Sequence, residues 1–81
     1  MIAKINKNRN LIGDRVRQAR YSASPIITQS DLLARLDLRG IALERTTISK
    51  IEAKTRPITD IELVALADAL GVSILWLLGE E

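Results

Sequence analysis

The sequence predicts an all-α chain, a compact bundle of five helices. Three observations carry that expectation. Apolar residues recur three and four apart along most of the chain. Thr28 followed by Asp31, and Thr59 followed by Glu62, have the spacing of capping boxes at helix starts. Strand signals are poor, because Tyr21 and Trp76 are the only aromatic side chains and no alternating run is bounded by turn pairs.

In order along the chain, residues 1–9 are polar and basic (Lys4, Lys7, Arg9) and are expected to form a flexible N-terminal arm, followed by one domain over residues 10–79. Ile12, Val16 and Ala19 share one face of a first helix over about residues 10–22, with Asn8 or Asn10 as its cap. Ser22-Ala23-Ser24-Pro25 breaks it. Thr28 starts a short second helix that turns Leu32, Leu33 and Leu36 inward. A connection through Gly40 follows, longer than the three or four residues of a tight helix-turn-helix. The third helix runs from about Glu44 to Ala53, and Pro57 keeps Arg56 out of helical backbone. Thr59 opens a fourth helix built from Ile61, Val64, Leu66 and Leu70 with three alanines, stopped at Gly71. Ser73 caps a short fifth helix, in which Trp76 and Leu78 are expected to be core.

Composition narrows the function. With neither Cys nor His, the chain has no thiol chemistry, no zinc-imidazole site and no Ser-His or Cys-His nucleophile. Its four glycines are isolated, so no phosphate loop is present. No enzyme activity, cofactor or metal is expected. The apolar runs are far shorter than a membrane span and no charged-then-apolar leader opens the chain, so a cytoplasmic protein without a membrane partner is expected. The net charge is only +2, but it is unevenly spread. Up to Arg56 there are 12 bases and five acids, and from Pro57 onward five acids and no base. Such polarity presents one side to a polyanion and keeps the other away from it.

The third helix supplies the candidate surface. At about 100° per residue, with Arg45 at ~0°, Ile48 falls near ~300° and Ile51 near ~240°. Opposite that apolar direction stand Thr46, Ser49, Lys50 and Ala53, flanked by Arg45 and Lys54. Short groups between long cations suit the major groove of B-DNA, which excludes bulk and offers acceptor atoms. Gln29 lies where the second helix can offer amides to a phosphate. Glu52 falls beside the buried stripe, which calls for a cation, and Arg20 at the end of the first helix is the candidate.

Four segments, "RVRQAR" (15–20), "TQSDLLARL" (28–36), "TTISKIE" (46–52) and "LVALADALGVSILWLLG" (63–79), give the chain a resemblance to the Cro/C1-type, or XRE-like, helix-turn-helix family. The resemblance implies a lambda repressor-like bundle whose second and third helices form a DNA-binding motif. It places Arg45, Thr46 and Lys50 at base-reading positions, with Thr47 and Ser49 as lesser contacts. By the same resemblance Gln29, Lys54 and Arg56 meet phosphates, and Arg20 pairs with Glu52 inside the domain. The chain departs from the family's pattern in a longer turn between helices two and three and in "SASPII" before Thr28. It also lacks the glycine that often sits two residues after Glu52, and it carries Leu75 where a polar residue is common.

The expected function is that of a sequence-specific double-stranded DNA-binding transcriptional regulator, a repressor acting on an operator as a homodimer. Leu75 is the expected dimer contact, because "SILWLL" carries more apolar surface than one short helix can bury behind itself. The alternatives are an antitoxin, which binds a toxin protein as well as its operator, and an adaptor that uses the same bundle to bind a regulator protein.

Overall fold

A computed structural model describes residues 8–81, which form five α-helices and no strand: α1 (Gly13–Ser22), α2 (Gln29–Asp37), α3 (Arg45–Glu52), α4 (Asp60–Leu70) and α5 (Ile74–Leu77). Residues 1–7 of the expected arm lie outside the described residues. Arg9 within it is tied down, since its backbone N–H donates to the Lys54 carbonyl at 2.9 Å.

The expected caps form. Thr28 accepts from the Asp31 amide while Asp31 accepts from the Thr28 amide, and Thr59 and Glu62 make the same reciprocal pair. Ser73 accepts from the Trp76 amide, and Gly71 closes α4 in left-handed backbone at φ 69°. The first helix departs from expectation, starting at Gly13 rather than near residue 10. Asn10 still satisfies its first amides, but from two residues upstream: its Oδ1 accepts from Ile12 at 3.0 Å and Gly13 at 2.9 Å. The chain between Asn10 and Ile12 is therefore held by a side chain and not by helix hydrogen bonds.

The core joins all five helices through Ile12, Val16, Leu32, Leu36, Ile48, Ile51, Leu66 and Leu77, each fully enclosed. In α5 it is Leu77, not the expected Trp76 or Leu78, that is fully buried; those two pack half-buried at the edge. The reason is that four helical residues offer one inward direction, which Leu77 takes. Trp76 instead lies under the Arg15 guanidinium, 4.5 Å from its ring centroid. Leu33 is likewise only half-buried, and Ile61 and Val64 of α4 point outward, 68% and 55% exposed. Alanines 65, 67 and 69 with Leu66 and Leu70 fill the inner face of α4.

Gly13 decides how closely α1 meets α3. A Cβ on this residue would run into the Ile51 carbonyl oxygen and stand 2.8 Å from that of Glu52. The Lys54 side chain, with Cγ 2.6 Å away, can move, but the two carbonyls are backbone, so a side chain here must push the helices apart. Gly13→Ala is expected to cost about 1–3 kcal/mol, an overpacking penalty, which urea denaturation will read as a lower midpoint at unchanged slope.

Candidate nucleic-acid interface

The third helix is anchored on one side and bare on the other. Ile48 and Ile51 are fully buried, whereas Arg45, Thr46, Ser49, Lys50 and Ala53 are exposed and Thr47 is half-buried. The eight-residue helix gains its stability from packing, since its N-cap Glu44 makes no side-chain cap bond. The preceding connection, residues 38–44, holds its shape through Ile41, whose N–H donates to the Leu36 carbonyl at 2.9 Å, and through Gly40 at φ 81°. Arg39 adds an ion pair to Asp68 of α4, so the long connection is fastened to the body of the bundle.

Arg20 and Glu52 meet as a fork-to-fork pair at 2.6 and 2.7 Å, their side chains 5% and 8% exposed. The remaining Arg20 nitrogen donates to the Ile27 carbonyl at 3.1 Å. Its hydrogen bonds to Glu52 raise the Arg20 guanidinium above its ordinary pKa. Gln29 joins this pair to the exposed face: its Nε2 donates to Glu52 and its Oε1 accepts from Ser49, both at a long 3.4 Å.

Lys54 and Arg56, the cations after the helix, both face carboxylates. Lys54 Nζ lies 2.8 Å from Asp14, and the Lys54 backbone sits at φ 63°, where glycine is the usual residue. Arg56 donates twice to Glu62, at 3.0 and 3.1 Å. That hydrogen bonding holds Glu62 below the usual carboxylate range and raises Arg56. The same physics, with backbone and hydroxyl donors from Thr28, lowers Asp31. By contrast Arg45 and Lys50 have no ion-pair partner among the described residues.

Sequence reasoning missed two features here. Asn10 is a buried junction as well as a cap, because its Nδ2 also donates to the Ile51 carbonyl at 3.1 Å and the Arg56 carbonyl at 2.8 Å. The second is an open groove of about 540 Å³ between the end of α1, the start of α2 and the outer face of α3, with Arg17 and Tyr21 on its α1 wall. The i, i+4 spacing of that pair was the available signal. Leu75, in the stretch after Pro57 that carries acids and no base, stands 52% exposed. No helix among the described residues is long and apolar enough to cross a membrane.

Comparison with known families finds a helix-turn-helix family matching residues 27–77, from the residue before the first capping box to the last buried leucine. No curated protein and no solved structure matches the chain. Five helices in this order, the capped second helix, the anchored third helix and a match over more than half the sequence lead to one conclusion: the chain belongs to the Cro/C1-type (XRE-like) helix-turn-helix family of DNA-binding regulators.

Proposed function

We propose that this regulator is a repressor that occupies a double-stranded DNA operator as a homodimer, with α3 in the major groove. The observation that carries the reading is the outer face of α3. Thr46, Ser49 and Ala53 keep it low, while Arg45 and Lys50 stand exposed beside them with no carboxylate to satisfy them among the described residues. In this reading Arg45, Thr46 and Lys50 read base edges, with Thr47 and Ser49 nearby. Gln29, Lys54 and Arg56 meet phosphates, and Lys54 and Arg56 then exchange Asp14 and Glu62 for the nucleic acid.

Selection from a random duplex pool tests this. A palindromic site with half-sites about 34 Å apart is expected. Lys50→Ala should relax preference at one or two base positions, losing about 1–3 kcal/mol of discrimination. A uniform weakening on all duplexes would show that Lys50 meets a phosphate instead. Leu75→Glu should weaken assembly on the palindrome while half-site binding persists, and sedimentation matching that of wild type would place the dimer contact elsewhere.

A second reading, binding of a protein partner as in an antitoxin, is favoured by one observation. Ile61 and Val64 stand exposed on α4 beside Ile41 and line a shallow apolar depression bounded by Arg39 and Asp68. Isolation of the chain from its own cells with a bound toxin would support this reading.

A further inference from the structure

The unneutralised cations nearest α3 do not all lie on that helix. Lys54 and Arg56 each touch a carboxylate, but Arg17, on the outer side of α1, has no ion-pair partner among the described residues. Its guanidinium is 5.8 Å from the centroid of the Tyr21 ring, and Arg20 lies 5.1 Å from the same ring. Arg17 and Tyr21 form one wall of the groove whose other wall carries Arg45 and Ser49. Three guanidiniums, of Arg17, Arg20 and Arg45, border this groove against a single carboxylate, Glu52, which Arg20 neutralises. Two positive charges are therefore left over, beside the exposed Tyr21 ring and the Gln29 amide.

We propose that the groove holds the phosphodiester backbone of the DNA strand running alongside α3, with Arg17 as its cation and the Tyr21 hydroxyl as a neutral donor. The inference rests on the reading in which α3 enters the duplex. Arg45 and Ser49 belong both to the groove and to the outer face of α3, so a strand edge following α3 passes the α1 wall. A phosphate at Lys54 or Arg56 must displace a carboxylate, whereas one at Arg17 displaces none. The cation–π contact leaves the guanidinium N–H groups available to phosphate oxygens.

The test is the salt dependence of binding, from 50 to 200 mM, on the selected operator and on a scrambled duplex of equal length. The proteins are wild type, Arg17→Ala, Arg17→Lys, Tyr21→Phe and Lys50→Ala. Arg17→Ala should lower the slope of log affinity against log salt by about 0.9 and weaken both duplexes by the same factor. Arg17→Lys should restore most of that slope. Tyr21→Phe should weaken binding a few-fold with the slope unchanged, since it removes a donor and no charge. A wild-type slope for Arg17→Ala, in a variant that melts like wild type, overturns the proposal. If Lys50→Ala relaxes base preference in that same experiment, the reading of α3 stands and only the α1 contact fails. Failure of the wild-type protein to bind any duplex would overturn both.

Discussion

Glu52→Ala is expected to melt on the order of 20 °C below wild type. The pair it breaks is almost fully enclosed, with side chains 5% and 8% exposed. Removing Glu52 leaves the Arg20 guanidinium buried with two donors unsatisfied, only its bond to the Ile27 carbonyl remaining among the strong contacts. Breaking one side of a buried pair costs about 3–5 kcal/mol, and each kcal/mol shifts the melting temperature of a domain this size by roughly 4–8 °C. Replacing both partners should do less harm than removing one. The double variant Arg20→Met with Glu52→Leu is expected to recover part of the loss, because no isolated charge is left in the core. Far-ultraviolet circular dichroism against temperature checks both. A Glu52→Ala curve superimposed on wild type would show that the pair contributes nothing.

Asn10→Asp is expected to be nearly as severe, although it changes one nitrogen to oxygen. In wild type Oδ1 accepts two amides at the start of α1, and Nδ2 donates to the carbonyls of Ile51 and Arg56. A carboxylate keeps the first pair but turns an oxygen toward two carbonyl oxygens, at a site only 7% exposed. Two lost hydrogen bonds with their partners left unsatisfied, plus the repulsion, amount to about 3 kcal/mol or more at neutral pH. The new carboxyl is disfavoured in its charged form, so its folded pKa lies above its unfolded one. Its native state then binds more protons than the unfolded state, and stability falls as pH rises through that interval. The deficit relative to wild type should therefore shrink between pH 7 and pH 4.5. Equal deficits at the two pH values would show that the Asn10 amide is not confronted by those carbonyls.

Why the long-range contacts of Asn10 escaped sequence reasoning, while its capping role and the capping boxes did not, is a matter of range. A capping box is written in four consecutive residues, as at Thr28 and Thr59, and both formed. The Asn10 amide reaches across 41 and 46 positions to Ile51 and Arg56, and no local pattern encodes such a distance. Periodicity located Ile48 and Ile51 for the same local reason, and with them the outward strip of α3. On α4 it named the helix but not its faces: most residues there are apolar or alanine and the three acids are scattered, so the wheel has no polar side to show that Ile61 and Val64 stand outward. The Arg20–Glu52 contact was legible because two arguments converged on it, the position of Glu52 beside the buried stripe and the resemblance. The groove at Arg17 depends on how α1 lies against α3, which Gly13 sets through backbone proximity, and nothing in a one-dimensional pattern carries that.

If α3 reads an operator as proposed, the contact chain from Ser49 through Gln29 to Glu52 bears on how that preference can diverge among descendants of this protein. Ser49 is linked to the buried Arg20–Glu52 pair, whereas Thr46 and Lys50 are exposed and their side chains make no hydrogen bond to the rest of the fold among the described residues. Substitutions at Thr46 and Lys50 can accumulate by drift with little effect on folding, so under the proposed reading, in which they meet base edges, new specificities are most accessible there. A change at Ser49 alters the polar surroundings of Gln29 and is tolerated best once the domain has gained stability elsewhere. Under that reading Lys50 can be sampled without touching the fold's own hydrogen bonds, whereas a change at Ser49 also removes its contact with Gln29.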